Sequence, residues 1–179
     1  MTPPAATAVD LKAWERHVTL ADGQAVFIRP IRPEDEALYD HFLAAVTPED
    51  ARFRFLVPVR NLSHALVNSL THLDYAHAMA FIALDERDGE MLGVARLHDL
   101  ADNQSAEYAI IVRSDVKSHG LGWQLMQITI EYARAKGLPA IEGQVLHENT
   151  AMLKMCRELG FEITMDANDP AISNVRLAL

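Results

Sequence analysis

The chain has 179 residues, half of them apolar, and its formal net charge is −9. This length and composition are typical of one globular domain with its own core, and the acidic balance argues against a nucleic-acid-binding surface. Because Cys156 is its one cysteine, the chain cannot form an internal disulfide, which favours a reducing, cytoplasmic compartment. No apolar run is long enough to span a membrane.

The N-terminal part of the chain is predicted to contain a hairpin followed by three helices. Residues 1–15 are expected to form a flexible tail, and Asp22-Gly23 between two apolar runs is typical of a β-hairpin turn. Pro33 indicates the start of the first helix, and Thr47 and Ser63 indicate the caps of the next two. The residues expected to be buried in the first and third helices are Leu38, Phe42, Val46, Leu66, Leu70 and Leu73.

The remainder of the chain is predicted to alternate strands with helices. Apolar runs over residues 78–84, 91–98 and 106–112 are separated by short turns, which predicts antiparallel neighbours. A helix over residues 120–136 precedes a strand over 141–146, which can lie parallel to the strand before that helix. The last predicted elements are a helix over residues 150–159 and strands over 161–165 and 172–177. The sequence therefore predicts an α/β (α+β) domain over residues 16–179 with a mixed, mostly antiparallel sheet flanked by helices.

The clearest chemical signal lies where the third of those strands leads into the long helix. Gly120 and Gly122 open an amphipathic stretch whose apolar residues, spaced as in Leu121 and Leu125, share one helical face. The first N–H groups of a helix lack partners and carry partial positive charge, and glycines let a ligand approach the backbone closely. This pattern predicts an anion site, such as a phosphate or pyrophosphate cradle. An ordinary strand-to-helix turn is the alternative.

Two motifs carry a resemblance to a known family. Residues 117–122, Lys-Ser-His-Gly-Leu-Gly, match the family pattern Gln/Arg-x-x-Gly-x-Gly/Ala. Asn149, followed by a helix that ends in Leu159-Gly160-Phe161, matches a later segment of the same family. The chain thus resembles the GCN5-related N-acetyltransferases, the GNAT superfamily. The resemblance implies acetyl-CoA as co-substrate, bound in a V-shaped opening between two central parallel strands.

A closer resemblance is to the acetyltransferase domain of Pat-type protein lysine acetyltransferases. It rests on residues 29–35, Leu62-Ser63-His64, Asp74-Tyr75 and residues 106–115. This resemblance implies acetyl transfer to a primary amine, with a protein lysine side chain as the expected acceptor. A small-molecule amine as acceptor and a non-catalytic acyl-CoA-binding module are the alternatives. No metal is expected, because the histidines and the cysteine lack metal-ligand spacing.

The resemblance also implies which residues bind acetyl-CoA. The backbone of residues 111–113 would pair with the pantetheine arm, and the N–H groups of residues 118–123 would hold the pyrophosphate. Lys117 stands where the family has Gln or Arg, so it offers a point charge without a planar fork. Asn149 would contact the pantetheine arm, serve as a helix cap, or do both. The implied cofactor-binding residues are Ile111, Val112, Arg113, Lys117, Ser118, His119, Gly120, Leu121, Gly122, Trp123 and Asn149.

Glu107 is the expected catalytic residue. Strand alternation places it on the same face as Ala109 and Ile111. An amine with a pKa of about 10.4 must lose a proton before it attacks a thioester, and a carboxylate can accept that proton directly or through water. The resemblance to the Pat-type Ala-Glu-Phe/Tyr-Ala segment implies this role. A strand glutamate paired with a neighbour such as Arg96 is the alternative.

Cys156 marks a departure from the family pattern. Many members have a tyrosine seven residues after the asparagine, where it acts as general acid to the leaving thiolate. A thiol can donate a proton in principle, but a small buried core residue is the favoured interpretation. The sequence leaves the oligomeric state open, and the last strand pair would allow a homodimer.

Overall fold

The computed structural model describes residues 8–56, 62–101 and 104–179, and eight strands of this part form one open sheet. The sheet order is β1-β2-β3-β4-β5-β6-β8-β7, and every neighbouring pair except β5 and β6 is antiparallel. This confirms the predicted mixed, mostly antiparallel sheet. The strands are β1 (Arg16–Thr19), β2 (Ala25–Pro30), β3 (Ala78–Asp85), β4 (Met91–Asp99), β5 (Ala106–Val112), β6 (Ala140–Leu146), β7 (Glu162–Met165) and β8 (Ile172–Ala178).

Helices cover both faces of the sheet. They are α1 (Tyr39–Ala44), α2 (Pro48–Phe55), α3 (His64–Thr71), α4 (Leu121–Lys136) and α5 (Thr150–Glu158). One apolar cluster joins α1 and α3 to the sheet through residues such as Phe42, Val67 and Ile111. A larger cluster joins α4 and α5 to the opposite face through residues such as Leu125 and Leu153. Within the described ranges, no helix is long and apolar enough to cross a membrane.

The long helix α4 forms as its sequence pattern predicts. The four residues of the predicted apolar face, Leu121, Leu125, Ile128 and Tyr132, are all buried. Gly120 before the helix has φ +91°, a left-handed conformation that glycine adopts without strain. Gly137, also left-handed, ends the helix after Lys136.

The first predicted helix requires a correction. Pro33–Leu38 is a 3₁₀ turn, and α1 begins only at Tyr39, which is buried together with Phe42. Leu38 and Val46, which were expected to be buried, are half-buried. The tight turn is held by Asp35, whose carboxylate accepts from the Arg32 N–H at 2.7 Å.

The buried face of α3 also differs from the predicted one. Leu66 is 38% exposed, whereas Val67 and Thr71 face the sheet. Leu70 and Leu73 are half-buried. Thr71 can be buried because its hydroxyl donates to the Val67 carbonyl at 3.2 Å. The spacing of the leucines does not reveal that a threonine hydroxyl finds a hydrogen-bond partner within its own helix.

The segment predicted as an N-terminal tail includes ordered structure in its described part. Leu11–Trp14 forms a 3₁₀ helix capped by Asp10, whose carboxylate accepts from the Lys12 N–H at 3.1 Å. The Trp14 ring packs edge-on against Tyr132 of α4 at 5.1 Å between ring centroids. This aromatic contact fixes residues 11–14 on the α4 face of the sheet.

The strands β5 and β6 separate soon after they meet. They pair at two positions only, Ala106 with Ile141 and Glu107 with Glu142. Beyond Glu107, β5 remains paired with β4 as far as Val112, while β6 remains paired with β8 as far as Leu146. The carboxyl ends of the two parallel strands therefore diverge, which confirms the predicted V-shaped opening.

Candidate active site

A cavity of about 480 Å³ occupies the opening between β5 and β6. This volume is within the range of sites that hold small molecules and cofactors. Its walls come from β5, the loop before α4, the first turn of α4, β6, the start of α5 and one face of α2. Nine of the eleven implied cofactor-binding residues line it, namely Ile111, Val112, Lys117, Ser118, Gly120, Leu121, Gly122, Trp123 and Asn149.

The loop before α4 presents a row of unpaired backbone donors. The N–H groups of residues 118–123 donate to no acceptor among residues 8–56, 62–101 and 104–179. Ser118 and Gly120 both have positive φ, +69° and +91°, and such turns commonly group N–H donors into anion-binding concavities. Together with the positive end of the α4 dipole, these donors can hold a pyrophosphate.

Lys117 lines the cavity but has an acidic partner. Its ammonium donates to the Asp50 carboxylate of α2, which also accepts from the Ser114 hydroxyl at 2.5 Å. Burial of Asp50 favours its neutral form, but the hydrogen bonds from Lys117 and Ser114 outweigh that effect and hold its pKa below the usual range. The ion pair joins α2 to the glycine loop at the mouth of the cavity.

Arg113 and His119, the other two implied cofactor-binding residues, lie outside the cavity lining. The Arg113 N–H already donates to the Leu92 carbonyl at 2.8 Å, and its guanidinium is paired with Asp115 at 2.7 Å. The His119 carbonyl accepts from the Ala21 N–H at 3.1 Å, so this residue connects the loop to the β1–β2 hairpin.

Asn149 combines two features at the start of α5. Its side-chain oxygen accepts from the Met152 N–H at 3.2 Å, which is the predicted helix cap. Its amide nitrogen donates to no acceptor in the part of the chain that the structure describes, and the residue lines the cavity. The cap fixes the side chain while one donor remains available to a ligand.

Glu107 lies at the point where β5 and β6 separate. Its side chain is exposed and forms no hydrogen bond or ion pair with any described residue. Arg96, the partner that the alternative interpretation requires, instead donates to the Tyr39 hydroxyl at 2.9 Å and to the Leu70 carbonyl. Glu107 also lines a second cavity over the outer face of β6, β7 and β8, with Glu142, Glu162 and Arg176 among its other walls.

Tyr108 and Cys156 meet beneath this opening. The Tyr108 ring extends from β5 over Gly143 of β6, and its hydroxyl is 3.3 Å from the Cys156 sulfur on α5. Cys156 is completely buried. Burial raises the pKa of the Cys156 thiol, and the hydrogen bond with Tyr108 only partly opposes that effect.

Helix α2 contributes a wall in which the sequence had singled out no individual residue, although residues 48–75 were expected to contain acceptor loops. Phe53, Arg54 and Phe55 line the same cavity as Glu107. The sequence contained one signal of this arrangement, because Asp50 and Arg54 are four residues apart and so share a helical face. No group of three or more metal-ligating side chains occurs within the described ranges.

Comparison with known families matches residues 43–161 to the acetyltransferase (GNAT) family. Over 163 residues, the chain is 34% identical to acetyltransferase PA5475 of Pseudomonas aeruginosa, covering 90% of this chain and 88% of that protein. It is 39% identical over 80 residues to L-methionine sulfoximine/L-methionine sulfone acetyltransferase of Pseudomonas aeruginosa, covering 42% of this chain and 46% of that protein.

Two further proteins bear on the architecture. Acetyltransferase Pat of Mycolicibacterium smegmatis is 28% identical over 144 residues, which are 80% of this chain but only 43% of that protein. The crystal structure of the GNAT domain of S. lividans PAT matches with a TM-score of 0.86 at 24% identity, covering 93% of this chain and 98% of that chain. At this identity the structural match supports the fold.

Proposed function

The chain is an acetyltransferase of the GNAT family, whose members use acetyl-CoA, and we propose that it acetylates a primary amine with Glu107 as general base. The single observation that carries this proposal is the position of Glu107. Its unpaired carboxylate lies on the wall of the cavity where β5 leaves β6. A carboxylate with no partner in the part of the chain that the structure describes can bind the incoming amine.

The reaction balances with this one base. The substrate ammonium passes a proton to the Glu107 carboxylate, directly or through water, and becomes a neutral amine. The amine nitrogen then forms a bond to the acetyl carbon as the carbon–sulfur bond breaks. The CoA thiolate leaves without a dedicated acid, because a thiolate is stable enough near neutral pH. The attacking nitrogen then gives up its second proton to that thiolate, directly or through water, so the products are the neutral amide and CoA.

Backbone and side-chain groups of this protein form the proposed binding site for acetyl-CoA. The N–H groups of residues 118–123 would hold the pyrophosphate. The backbone groups of Val112 point toward the diverging β6 and have no strand partner there among the described residues, so they would pair with the pantetheine arm, whereas those of Ile111 and Arg113 face β4. The amide nitrogen of Asn149 would donate to the same arm.

A protein lysine side chain is the proposed acceptor. The likeness to Pat supports it, and so does the second cavity, which reaches Glu107 from the outer face of the sheet. Its charged walls are Glu107, Glu142, Glu162 and Arg176, so acidic groups outnumber basic ones. A cationic lysine side chain is attracted to such a groove. A cytoplasmic location and a homodimer formed through the last strand pair also belong to this proposal.

A small amine such as an amino acid is a second candidate acceptor. The observation that favours it is the similarity to L-methionine sulfoximine/L-methionine sulfone acetyltransferase, whose named substrates are amino-acid derivatives. The two candidates share the base and the acetyl-CoA binding site, so they differ only in what fills the acceptor side of the cavity.

The test is the substitution Glu107→Gln, assayed by thiol release from acetyl-CoA with lysine-containing proteins and small amines. We expect turnover to fall by about 10²–10⁴-fold while calorimetry shows nearly unchanged CoA affinity. Glu131→Gln is the matched control, because Glu131 lines neither cavity and is paired with Arg16 at 2.5 Å. Equal losses of turnover and CoA binding in Glu107→Gln would assign Glu107 a structural role instead.

A further inference from the structure

Arg54 on α2 has an unusual position for a guanidinium group. It lines the same cavity as Glu107, and its guanidinium carbon lies 4.8 Å from the centroid of the Phe55 ring. The residue is half-buried. An arginine that packs its planar group on an aromatic ring is pre-organised to bind an anion with its free edge.

Arg54 lacks the partners that other arginines of this protein have. Arg29 is bound by both carboxylate oxygens of Asp35, at 2.8 and 2.6 Å. Arg52, on the same helix as Arg54, is paired with Glu148 at 2.8 Å. Arg54 makes no hydrogen bond or ion pair with residues 8–56, 62–101 or 104–179. A charge removed from water without a partner is costly, so a ligand anion would be bound favourably here.

The electrostatic surroundings also favour an anion. The pKa of Arg54 is lowered to about 10, chiefly by burial and also by the positive charge of Arg96, while Tyr39 and Glu107 partly oppose these effects. Arg54 is therefore still protonated at neutral pH. The positive charges of Arg54 and Arg96 therefore outnumber the negative charge of Glu107 around the Arg54 guanidinium.

We propose that Arg54 binds a carboxylate of the acceptor while the acceptor's amine contacts Glu107. This inference rests on the proposed function and specifies its acceptor as one that carries a carboxylate close to the amine. Guanidinium and carboxylate groups match in a bidentate geometry. Arg54 is then an acceptor-binding residue that selects and orients the amine and does not take part in proton transfer.

Two kinds of acceptor provide this chemistry. In a protein, the carboxylate belongs to an acidic residue beside the target lysine. In a free amino acid, it is the α-carboxylate. The α-carboxylate is attached to the carbon that bears the amine, whereas the carboxylate of an acidic neighbour is many bonds from the lysine amine and comes close to it only through space. The shared chemistry is a carboxylate near the amine, and paired probes distinguish the two sources.

The experiment measures acceptor preference with two matched pairs of probes. One pair is a short peptide containing Lys-Asp and the same peptide with Lys-Asn, and the other is L-methionine sulfone and its carboxamide. In the unchanged protein, we expect the carboxylate member of at least one pair to have the higher kcat/KM, by about tenfold or more. The peptide pair identifies the protein source of the carboxylate, and the amino-acid pair identifies the free one.

Substitutions at Arg54 provide the decisive comparison. Arg54→Met should remove the preference through a rise in KM for the carboxylate probe, with the neutral probe little affected. Arg54→Lys should restore part of it, because the charge returns without the planar fork. Arg52→Met is the matched control on the same helix, since Arg52 lies outside the cavity lining and should leave the preference intact.

Direct binding separates this inference from the proposed base. Calorimetry of the CoA-bound protein with the same probes reports carboxylate preference without turnover, and Glu107→Gln should keep that preference while losing catalysis. If Glu107→Gln remains active, the proposed function fails and the Arg54 subsite stands. If neither probe pair shows a carboxylate preference, or if Arg54→Met weakens CoA binding as much as acceptor binding, the subsite is overturned.

Discussion

The Tyr108 hydroxyl lies 3.3 Å from the Cys156 sulfur and connects β5 to α5 beneath the cavity between β5 and β6. Both side chains are buried, and the Tyr108 ring also packs on Phe161 at 5.6 Å between centroids. Burial raises the pKa of Tyr108 well above its usual value, with a further contribution from Cys156. Both groups are therefore neutral at physiological pH. Many family members have a tyrosine at the α5 position of Cys156, whereas in this protein the tyrosine hydroxyl beside that position belongs to Tyr108 of β5.

This contact predicts that Cys156 is a structural residue. Cys156 does not line the cavity, and its thiol faces Tyr108. We expect Cys156→Ala to keep turnover within about twofold and to cost about 1 kcal/mol of unfolding free energy. Urea unfolding and steady-state kinetics measure the two quantities. The thiol of the folded protein should also resist an aromatic disulfide reagent until denaturant is added. A loss of turnover without a loss of stability would instead make the thiol a catalytic acid.

Gly143 is predicted to be essential to the same arrangement. A Cβ at this position would lie 2.8 Å from Tyr108 Cε1, so the ring would have to move. We expect Gly143→Ala to reduce the unfolding free energy by about 1–3 kcal/mol, a typical cost of overpacking. The control is a double-mutant cycle with Tyr108→Ala. If the ring causes the clash, Gly143→Ala should cost much less in that background, and an unchanged cost would contradict this explanation.

The anion cradle can be tested at Gly122 without straining the backbone. A Cβ at Gly122 would meet no atom of the described residues within 4 Å, and the φ of Gly122 lies outside the left-handed range, unlike that of Gly120. We expect Gly122→Glu to weaken CoA binding by about tenfold or more, because a carboxylate beside the N–H groups repels the pyrophosphate. Gly122→Gln separates bulk from charge and should bind CoA more tightly than Gly122→Glu in calorimetry. Equal affinities for the two variants would remove the electrostatic argument.

The sequence was most informative where one local pattern determines the structure. The hairpin turn at Asp22-Gly23, the caps at Thr47 and Ser63 and the apolar face of α4 are confirmed because each depends on neighbouring residues alone. The parallel placement of β6 is also confirmed, since a strand that follows a helix is commonly returned to the same sheet.

The individual residues on the acceptor side of the site depend on contacts between distant segments, and the sequence identified none of them. Arg54 reaches the cavity only because α2 packs against β5, and the unpaired state of its guanidinium is a property of the assembled fold. The partner of Lys117 was missed for the same reason, since Asp50 is 67 residues away in the chain. The sequence favours residues 48–75 and 168–173 as the acceptor loops without indicating which side chains bind, and residues 57–61 of the first stretch lie outside the described residues.

Asp85, at the end of β3, is expected to make the unfolding free energy of the protein fall in acid. Its buried carboxylate accepts from Arg87 Nη2 at 2.7 Å and from Gln24 Nε2 at 2.6 Å. The hydrogen bond with Arg87 is the largest influence and outweighs desolvation, so the pKa of Asp85 is held well below its usual value. Below about pH 4, the unfolded chain therefore binds a proton that the folded chain does not. The stability that Asp85 contributes is complete above this range and is lost as the pH falls.

Replacing Asp85 should remove this part of the acid sensitivity. We expect Asp85→Asn to lower the unfolding free energy at pH 7 and to flatten its decline in acid by up to about 1.4 kcal/mol per pH unit. Urea unfolding at several pH values between about 7 and 3 measures both effects. Arg87→Gln is the matched variant, because it removes the largest cause of the pKa shift of Asp85 while leaving the carboxylate in place. It should reduce part of the decline of the unfolding free energy in acid. If the unfolding free energy of Asp85→Asn falls as steeply in acid as that of the unchanged protein, other carboxylates control acid unfolding.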